Sequence, residues 1–206
     1  MKNKFLIILM LFFCSAAKAG ILIEPYIGGS ANTFVADTIL PVAFFDLVGK
    51  GTYSGGRLGY KFIFGMWLAA DYTINSTSYT ITKPSTLSSM SMNSNFTFID
   101  VGWDLPFLFR LYGGYGVAGS ASLSGTTSTG NNISDKYTKA SAFKVGAGIS
   151  LLHFFSINLE YFKPTFARYE GITNGVSNGE QDLSAAWRTF DLSTTALTLS
   201  FPLSIL

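Results

Sequence analysis

Charged residues recur at alternate positions inside otherwise apolar segments of this 206-residue chain. In residues 55–74 ("GGRLGYKFIFGMWLAADYTI"), Arg57 and Lys61 share one parity, and the residues between them are apolar or glycine. Asp71 follows in the next segment, again between apolar neighbours. Carboxylates and cations confined to one face of a segment can neutralise one another, so the chemistry that this spacing predicts is mutual ion pairing in an enclosed space.

Two other patterns could carry chemistry, and neither supports an enzyme. Gly114–Gly119 ("GYGVAG") matches the dinucleotide-binding pattern, but that pattern needs a following helix and "SASLSGTTSTG" follows here. His153 is the one histidine, which excludes a histidine metal cluster and leaves one possible base for a serine triad, in a predicted short turn. We therefore predict no catalytic residue, no bound metal, no cofactor and no enzymatic activity.

The first 19 residues have the organisation of a secretory signal peptide. Two lysines precede an uncharged run over residues 5–17, and a small-residue cleavage site ends at Ala19. A short membrane anchor is the alternative, although the run is shorter than the roughly 18 to 20 apolar residues of a spanning helix. Cleavage would remove three lysines and Cys14, leaving 11 basic and 12 acidic residues and a formal charge of −1. Such a chain has no basic field for nucleic acid and no thiol for disulfides or metals.

Residues 20–206 form one predicted all-β domain. The composition is 48% hydrophobic and only 13% charged, yet no apolar run is long enough for a membrane helix. Apolar and polar residues instead alternate with the period of two that is typical of strands. This alternation predicts eight strands, within residues 20–34, 55–62, 67–74, 94–104, 109–121, 140–151, 156–163 and 192–203.

The predicted connections alternate in length. Short links fall near residues 63–66, 104–109 and 152–156, whereas long polar connections span residues 35–52, 78–93, 122–139 and 164–191. This asymmetry is typical of transmembrane barrels with short periplasmic turns and long extracellular loops. The predicted fold is therefore an eight-stranded antiparallel up-and-down transmembrane β-barrel.

Closure into a barrel explains the alternating charges. Strands can cross a bilayer only in a closed ring, where one face meets lipid and the other lines a narrow interior. We predict that the inward face carries four acidic and four basic residues that plug the lumen by pairing with each other: Glu24, Arg57, Lys61, Asp71, Asp100, Arg110, Lys144 and Glu160. Strand order suggests Glu24 with Lys61, and Lys144 with Glu160, as partners.

Aromatic residues are expected in two belts at the membrane interfaces. One set lies near the predicted short turns (Phe62, Trp103, Phe107, Phe109, Phe154, Phe155 and Phe201), and the other lies toward the long loops (Tyr53, Tyr72, Tyr79, Phe143 and Tyr161). The alternative is that these residues form the aromatic core of a soluble sandwich.

The loop over residues 36–51 is unusually apolar for a solvated connection. One interpretation is that it extends the strands beyond the bilayer or folds over the barrel mouth. The sharper hypothesis is an entry site for small apolar molecules that includes Phe44, Phe45 and Leu47.

The chain resembles the small outer-membrane barrels of Gram-negative bacteria, the group of the OmpA transmembrane domain, OmpX and OmpW. The resemblance covers residues 20–206 and is carried by "EPYIGG" at 24–29, "GGRLGYKF" at 55–62, "LAADYT" at 68–73, "DLPFLFR" at 104–110 and "SINLEYF" at 156–162. Barrels of this group usually end on an aromatic residue that the assembly machinery reads, whereas this chain ends in Leu206.

The resemblance implies a monomeric, multi-pass protein of the bacterial outer membrane. Its expected partners are outer-membrane lipid, lipopolysaccharide and the outer-membrane assembly machinery. We expect a structural or surface-interaction role with a plugged lumen. The alternatives are a narrow pore or lateral route for small apolar solutes, as in OmpW-like barrels, and a secreted soluble calycin-like binder.

Overall fold

The computed structural model describes residues 19–38, 45–79, 87–105, 108–127, 130, 132–152, 155–173, 175–183 and 188–205. Residues 1–18 of the predicted signal peptide lie outside this part of the chain, as do Phe107, His153 and Phe154. Within the described residues, no helix is long and apolar enough to cross a membrane.

The described chain is almost entirely strand. The strands are β1 (Gly20–Thr38), β2 (Phe45–Lys61), β3 (Met66–Tyr79), β4 (Leu87–Asp104), β5 (Phe109–Thr127), β6 (Asn132–Leu152), β7 (Phe155–Thr173), β8 (Val176–Asp182), β9 (Arg188–Ser200) and β10 (Leu203–Ile205). A single 3₁₀ turn, Ile63–Gly65, joins β2 to β3.

The strands close into a ring. β1 to β7 pair in chain order, each antiparallel to the next, and β9 pairs with both β7 and β1. β10 continues β9 along β1 after a break at Phe201 and Pro202, where proline has no N–H for the ladder. β8 lies beyond the ring and pairs with β7. The expected eight-stranded antiparallel barrel is thus confirmed, with β9 and β10 sharing the position of the eighth strand.

Side chains alternate between an exposed outer face and a buried inner face. β3 alternates without exception along its 14 residues. Eight large residues of parity opposite to the charged positions of their strands are exposed by 41% to 61% on the outer face: Leu58, Tyr60, Phe62, Leu68, Tyr72, Ile74, Val145 and Ile149. A continuous apolar belt of this kind is what a bilayer would cover.

The connections differ in length as expected, but the strands reach further than the sequence predicts. The β2–β3 turn is tight, with Phe62 N donating to Met66 O at 2.7 Å, and it uses positive φ at Phe64 and Gly65 (73° and 79°). At the opposite end, which we call the loop end, β1 and β2 stay paired up to Ala36 and Phe45. A bilayer needs only about 9 to 11 residues per strand. Strands of 13 to 21 residues therefore carry the barrel wall beyond it.

A β-bulge changes the inward parity of β5. Thr97 pairs with Ala118 and Phe98 with Gly116, so Val117 is the extra residue. Ser120, which the alternation places inside, consequently lies on the outer face and donates to Asn95 Oδ1 at 3.3 Å. The β5–β6 ladder is also interrupted here, between the Gly116–Ala142 and Ala121–Tyr137 pairs.

Candidate functional site

A buried charged layer fills the half of the lumen nearer the short turns. Seven side chains predicted to point inward are at most 1% exposed there: Glu24, Arg57, Asp71, Asp100, Arg110, Lys144 and Glu160. Each strand from β1 to β7 supplies one of these side chains. Because neighbouring strands alternate in direction but share the same inner face, the side chains meet at one level of the tube.

 

Arg57 is the centre of this layer. Its Nη1 donates to Glu24 Oε1 at 3.0 Å and its Nη2 to Glu160 Oε1 at 2.7 Å. Its Nε lies 3.1 Å from Asp71 Oδ2 and 3.4 Å from Asp100 Oδ2. One guanidinium thereby contacts carboxylates from four different strands, which holds opposite walls of the barrel together.

Aromatic rings flank the Arg57 guanidinium. The Tyr26 and Tyr112 ring centroids lie 4.8 Å and 4.5 Å from its Cζ. The hydroxyl of Tyr26 donates to Asp71 Oδ1 at 2.7 Å, and that of Tyr53 donates to Glu160 Oε2 at 3.0 Å. Cation–π contacts and these hydrogen bonds supplement the ion pairs among these buried side chains.

Lys144 is the second buried cation. Its Nζ donates to Asp71 Oδ2 and, at 2.6 Å, to Asp100 Oδ2, and it lies 4.3 Å from the Phe98 ring centroid. Asp71 and Asp100 thus share both Lys144 and Arg57.

The network reaches the short-turn mouth through Asp104, which is not among the eight residues predicted to plug the lumen. Arg110 connects Glu24 Oε1 (2.5 Å) to Asp104 Oδ1 (2.7 Å), and Lys61 Nζ binds Asp104 Oδ2 at 2.6 Å. Lys61 and Asp104 are partly exposed, by 18% and 19%, because they lie at the rim. Asp104 has the parity of Asp100 and ends β4, so applying the charge-bearing parity to the last residue of the strand would have found it.

The observed partners differ from the suggested ones. Glu24 pairs with Arg57 and Arg110 instead of Lys61, and Glu160 pairs with Arg57 instead of Lys144. The suggestion considered neighbouring strands only. In so narrow a lumen, a long side chain reaches across the tube, as Arg57 on β2 does to Glu160 on β7.

An aromatic layer lies on the loop side of the charges, and the sequence analysis missed it. Phe162 is fully buried, and its ring centroid lies 5.3 Å from that of Phe96, 5.8 Å from that of Phe98 and 6.0 Å from that of Tyr53. The cluster includes further buried residues: Tyr26, Phe34, Tyr79, Met90, Met92, Tyr137, Phe166, Tyr169 and Leu192. The lumen is therefore filled by charges on one side and by apolar side chains on the other.

The predicted aromatic belts are wrong for two residues of this layer. Tyr53 and Tyr79, expected at the lipid interface, point inward and are 0% and 6% exposed. Tyr53 has the parity of Arg57, and Phe162 has that of Glu160. In each strand, the positions that share the parity of the charged residue point inward. Applying this rule to every residue of the strand would have placed Tyr53 and Phe162 inside the barrel. Tyr72, Phe143 and Tyr161 do lie on the outer face, exposed by 49%, 61% and 42%.

Polar side chains from β1 and β3 occupy the inner wall toward the loop end. Ser30 Oγ donates to Asn75 Oδ1 at 2.7 Å, and Asn75 Nδ2 donates to Asn32 Oδ1 at 3.2 Å. Asn32 also bonds Thr77 Oγ1. These hydrogen bonds satisfy buried polar groups and link the two strands across β2.

The outer face becomes polar immediately beyond the apolar belt. Lys163 Nζ donates to Asp191 Oδ2 at 2.9 Å, and both side chains are about half exposed (52% and 51%). This hydrogen bond and the Asp191 charge raise the pKa of Lys163. Lys163 follows the outward-facing Tyr161 by two residues, which marks the loop-side border of the belt.

The predicted apolar loop site lies mostly beyond the described residues. Phe44 is outside them, and Phe45 and Leu47 are described by their backbone only, as β2 residues paired with Ala36 and Phe34. The loop site therefore stays a prediction. Among the residues that the structure describes, no group of three or more His, Cys, Asp or Glu side chains could hold a metal ion.

Comparison with known proteins finds matches among solved structures. No protein-family model and no curated sequence matches the chain. Ail, the attachment invasion locus protein of Yersinia pestis, aligns at 13% identity with a TM-score of 0.56, covering 89% of this chain and 99% of Ail. A second Ail structure, in complex with the heparin analogue sucrose octasulfate, aligns at 15% identity with a TM-score of 0.58 over the same shares.

Two further barrels align over similar lengths. Neisserial surface protein A matches at 13% identity and a TM-score of 0.51, covering 89% of this chain and 98% of that one. The outer membrane protein OprG from Pseudomonas aeruginosa matches at 10% identity and a TM-score of 0.51, covering 92% and 98%. Identities this low establish the fold alone. The chain has the closed β-barrel fold of bacterial outer-membrane proteins, and its exposed apolar belt agrees with a multi-pass position in that membrane.

Proposed function

We propose that this protein is a monomeric outer-membrane barrel with a structural or surface-interaction role and a lumen closed to ions. The observation that carries the proposal is the filled cross-section: seven charged side chains, none more than 1% exposed, bonded around Arg57. An ion that entered would have to displace paired charges in a low-dielectric space, which costs several kcal/mol.

The loop end and the apolar belt of the barrel support a surface-interaction role. At the loop end, β8 (Val176–Asp182) is exposed along its whole length and extends the barrel wall by pairing with β7. Around the middle, the apolar belt provides the surface for outer-membrane lipid and lipopolysaccharide. Folding into the membrane would depend on its assembly machinery, as for other barrels of this fold.

Conductance across planar bilayers tests the closed lumen. We expect the folded protein to give no reproducible channel openings, because the charged and aromatic layers block the tube in series. A porin inserted into the same bilayers shows that channels are detectable, and heat-modifiable gel migration shows that the sample is folded. Reproducible openings from the folded barrel would reject the closed lumen and support a pore.

A lateral route for small apolar solutes is the second candidate, and the β5–β6 interruption favours it. The ladder lacks pairs between residues 117–120 and 138–141, at the loop-side border of the belt. Behind this gap, the Phe96 ring packs so closely on Gly119 that a Cβ there would lie 2.3 Å from Phe96 Cδ1. Phe96 belongs to the aromatic layer, so its ring covers the inner side of the interrupted wall.

Truncation of Phe96 separates the two candidates. If solutes pass through the gap, Phe96→Ala should increase the uptake of a labelled apolar solute several-fold in Gram-negative cells that display the barrel. Phe143→Ala, on the lipid face, is the matched control because it removes the same ring outside the lumen. Equal, low uptake by the wild type and both variants would leave the closed structural barrel as the function.

A further inference from the structure

The fully buried charges do not balance. Among the described residues, the charged layer contains four buried carboxyl groups, Glu24, Asp71, Asp100 and Glu160, and three buried cations, Arg57, Arg110 and Lys144. Lys61 and Asp104 at the rim pair with one another and add no net charge. If every carboxyl group were ionised, the layer would hold one uncompensated negative charge, and such a charge is costly in an enclosed space.

The excess lies where two carboxyl groups share their cations. Asp71 Oδ2 and Asp100 Oδ2 both contact Lys144 Nζ and both contact Arg57 Nε. Two carboxyl groups at one site rarely both remain ionised, since their like charges repel. The other titratable groups around them are Glu160 of β7 and Glu24 of β1, which both bind Arg57, and the Tyr26 hydroxyl, which donates to Asp71 Oδ1. The Tyr53 hydroxyl donates to Glu160 Oε2, and the Tyr112 ring packs on Arg57.

The hydrogen bonds distinguish the two aspartates. Asp71 accepts on both oxygens: Oδ1 from Tyr26, and Oδ2 from Arg57 and Lys144. Asp100 accepts on Oδ2 only, and its buried Oδ1 has no hydrogen-bond partner. That oxygen lies against Gly114, where an added Cβ would be 1.9 Å from it. Burying a charged carboxylate oxygen without a hydrogen-bond donor costs free energy. Burying a neutral, protonated carboxyl group in the same place costs much less.

Glu24 Oε2 also lacks a partner, but Glu24 is the less suitable carrier of a proton. Its Oε1 accepts from two guanidinium groups, Arg57 at 3.0 Å and Arg110 at 2.5 Å. Asp100 has one shared ammonium and a longer contact with Arg57.

We propose that the barrel holds one proton at neutral pH on the Asp71–Asp100 pair, carried by Asp100, and that this proton makes the charged layer neutral. Asp71 is then the ionised partner of Lys144 and Arg57. The charge balance within the layer is the same whether or not the lumen conducts.

Infrared spectroscopy of the folded barrel tests the proposal directly. Exposed carboxyl groups are ionised at neutral pH, so a protonated-carboxyl stretching band that shifts in D₂O reports a buried acid. We expect the wild-type protein to show this band and Asp100→Asn to lose it. Asp182→Asn, which changes an exposed carboxyl group, should keep it.

Stability supplies the second measurement. Asparagine resembles a protonated aspartate, so Asp100→Asn should unfold at the wild-type temperature in heat-modifiability gels. Asp71→Asn removes an ionised group and should lower that temperature by roughly 6 °C or more. The proposal is overturned by a wild-type protein without the band, by a band that persists in Asp100→Asn, or by an Asp100→Asn variant that is as destabilised as Asp71→Asn or does not fold.

Discussion

Replacement of Arg57 by methionine is expected to destabilise the barrel by about 3–5 kcal/mol, the usual cost of removing one partner from a buried ion pair. Methionine fills similar space but leaves Glu160 without its 2.7 Å donor and Glu24 with Arg110 alone. The uncompensated carboxylates then remain in an interior from which water is excluded. Urea unfolding of the protein in lipid vesicles, followed by tryptophan fluorescence, measures the change.

Lys163→Met is the matched control for this experiment. It also breaks an ion pair and also replaces a cation by methionine, but Lys163 and Asp191 are both about half exposed. We expect a small loss of stability, because exposed pairs are screened by water and contribute little. If the two variants unfold at the same urea concentration, the charged layer does not stabilise the barrel as described.

Truncation of Phe162 to alanine should also have a large effect, about 3–5 kcal/mol, as for other buried aromatic side chains. The Phe162 ring is fully buried and contacts three rings from two other strands, Tyr53 of β2 and Phe96 and Phe98 of β4. Its removal leaves a cavity that the rigid wall cannot close. The same unfolding measurement in vesicles reports the loss.

Phe143→Ala provides the comparison, because it removes an equal ring from the outer face, where Phe143 is 61% exposed. Lipid tails can fill the space that it leaves, so a smaller loss is expected. A larger loss at Phe143 than at Phe162 would mean that the interior aromatic layer contributes little to stability.

Much of the fold was predictable because strand alternation is a local property of the sequence. The period of two shows directly that Arg57 and Asp71 leave the sheet on the side opposite to Leu58 and Tyr72. The same reasoning fails at Ser120, where the bulge at Val117 exchanges the two faces. A single extra residue in one strand leaves no clear mark in the pattern, since its position depends on pairing with the neighbouring strand.

By itself, the sequence determined that the chain forms a closed barrel with an apolar exterior and inward-facing charges, because both features follow from which residues alternate along each strand. Only the tertiary structure decided which charges meet. Arg57 reaches Glu160 across the tube, Asp104 joins at the rim, and the aromatic layer closes the loop side. These contacts depend on strand stagger and on the width of the lumen, which are set when the ring closes and are not encoded in any one strand.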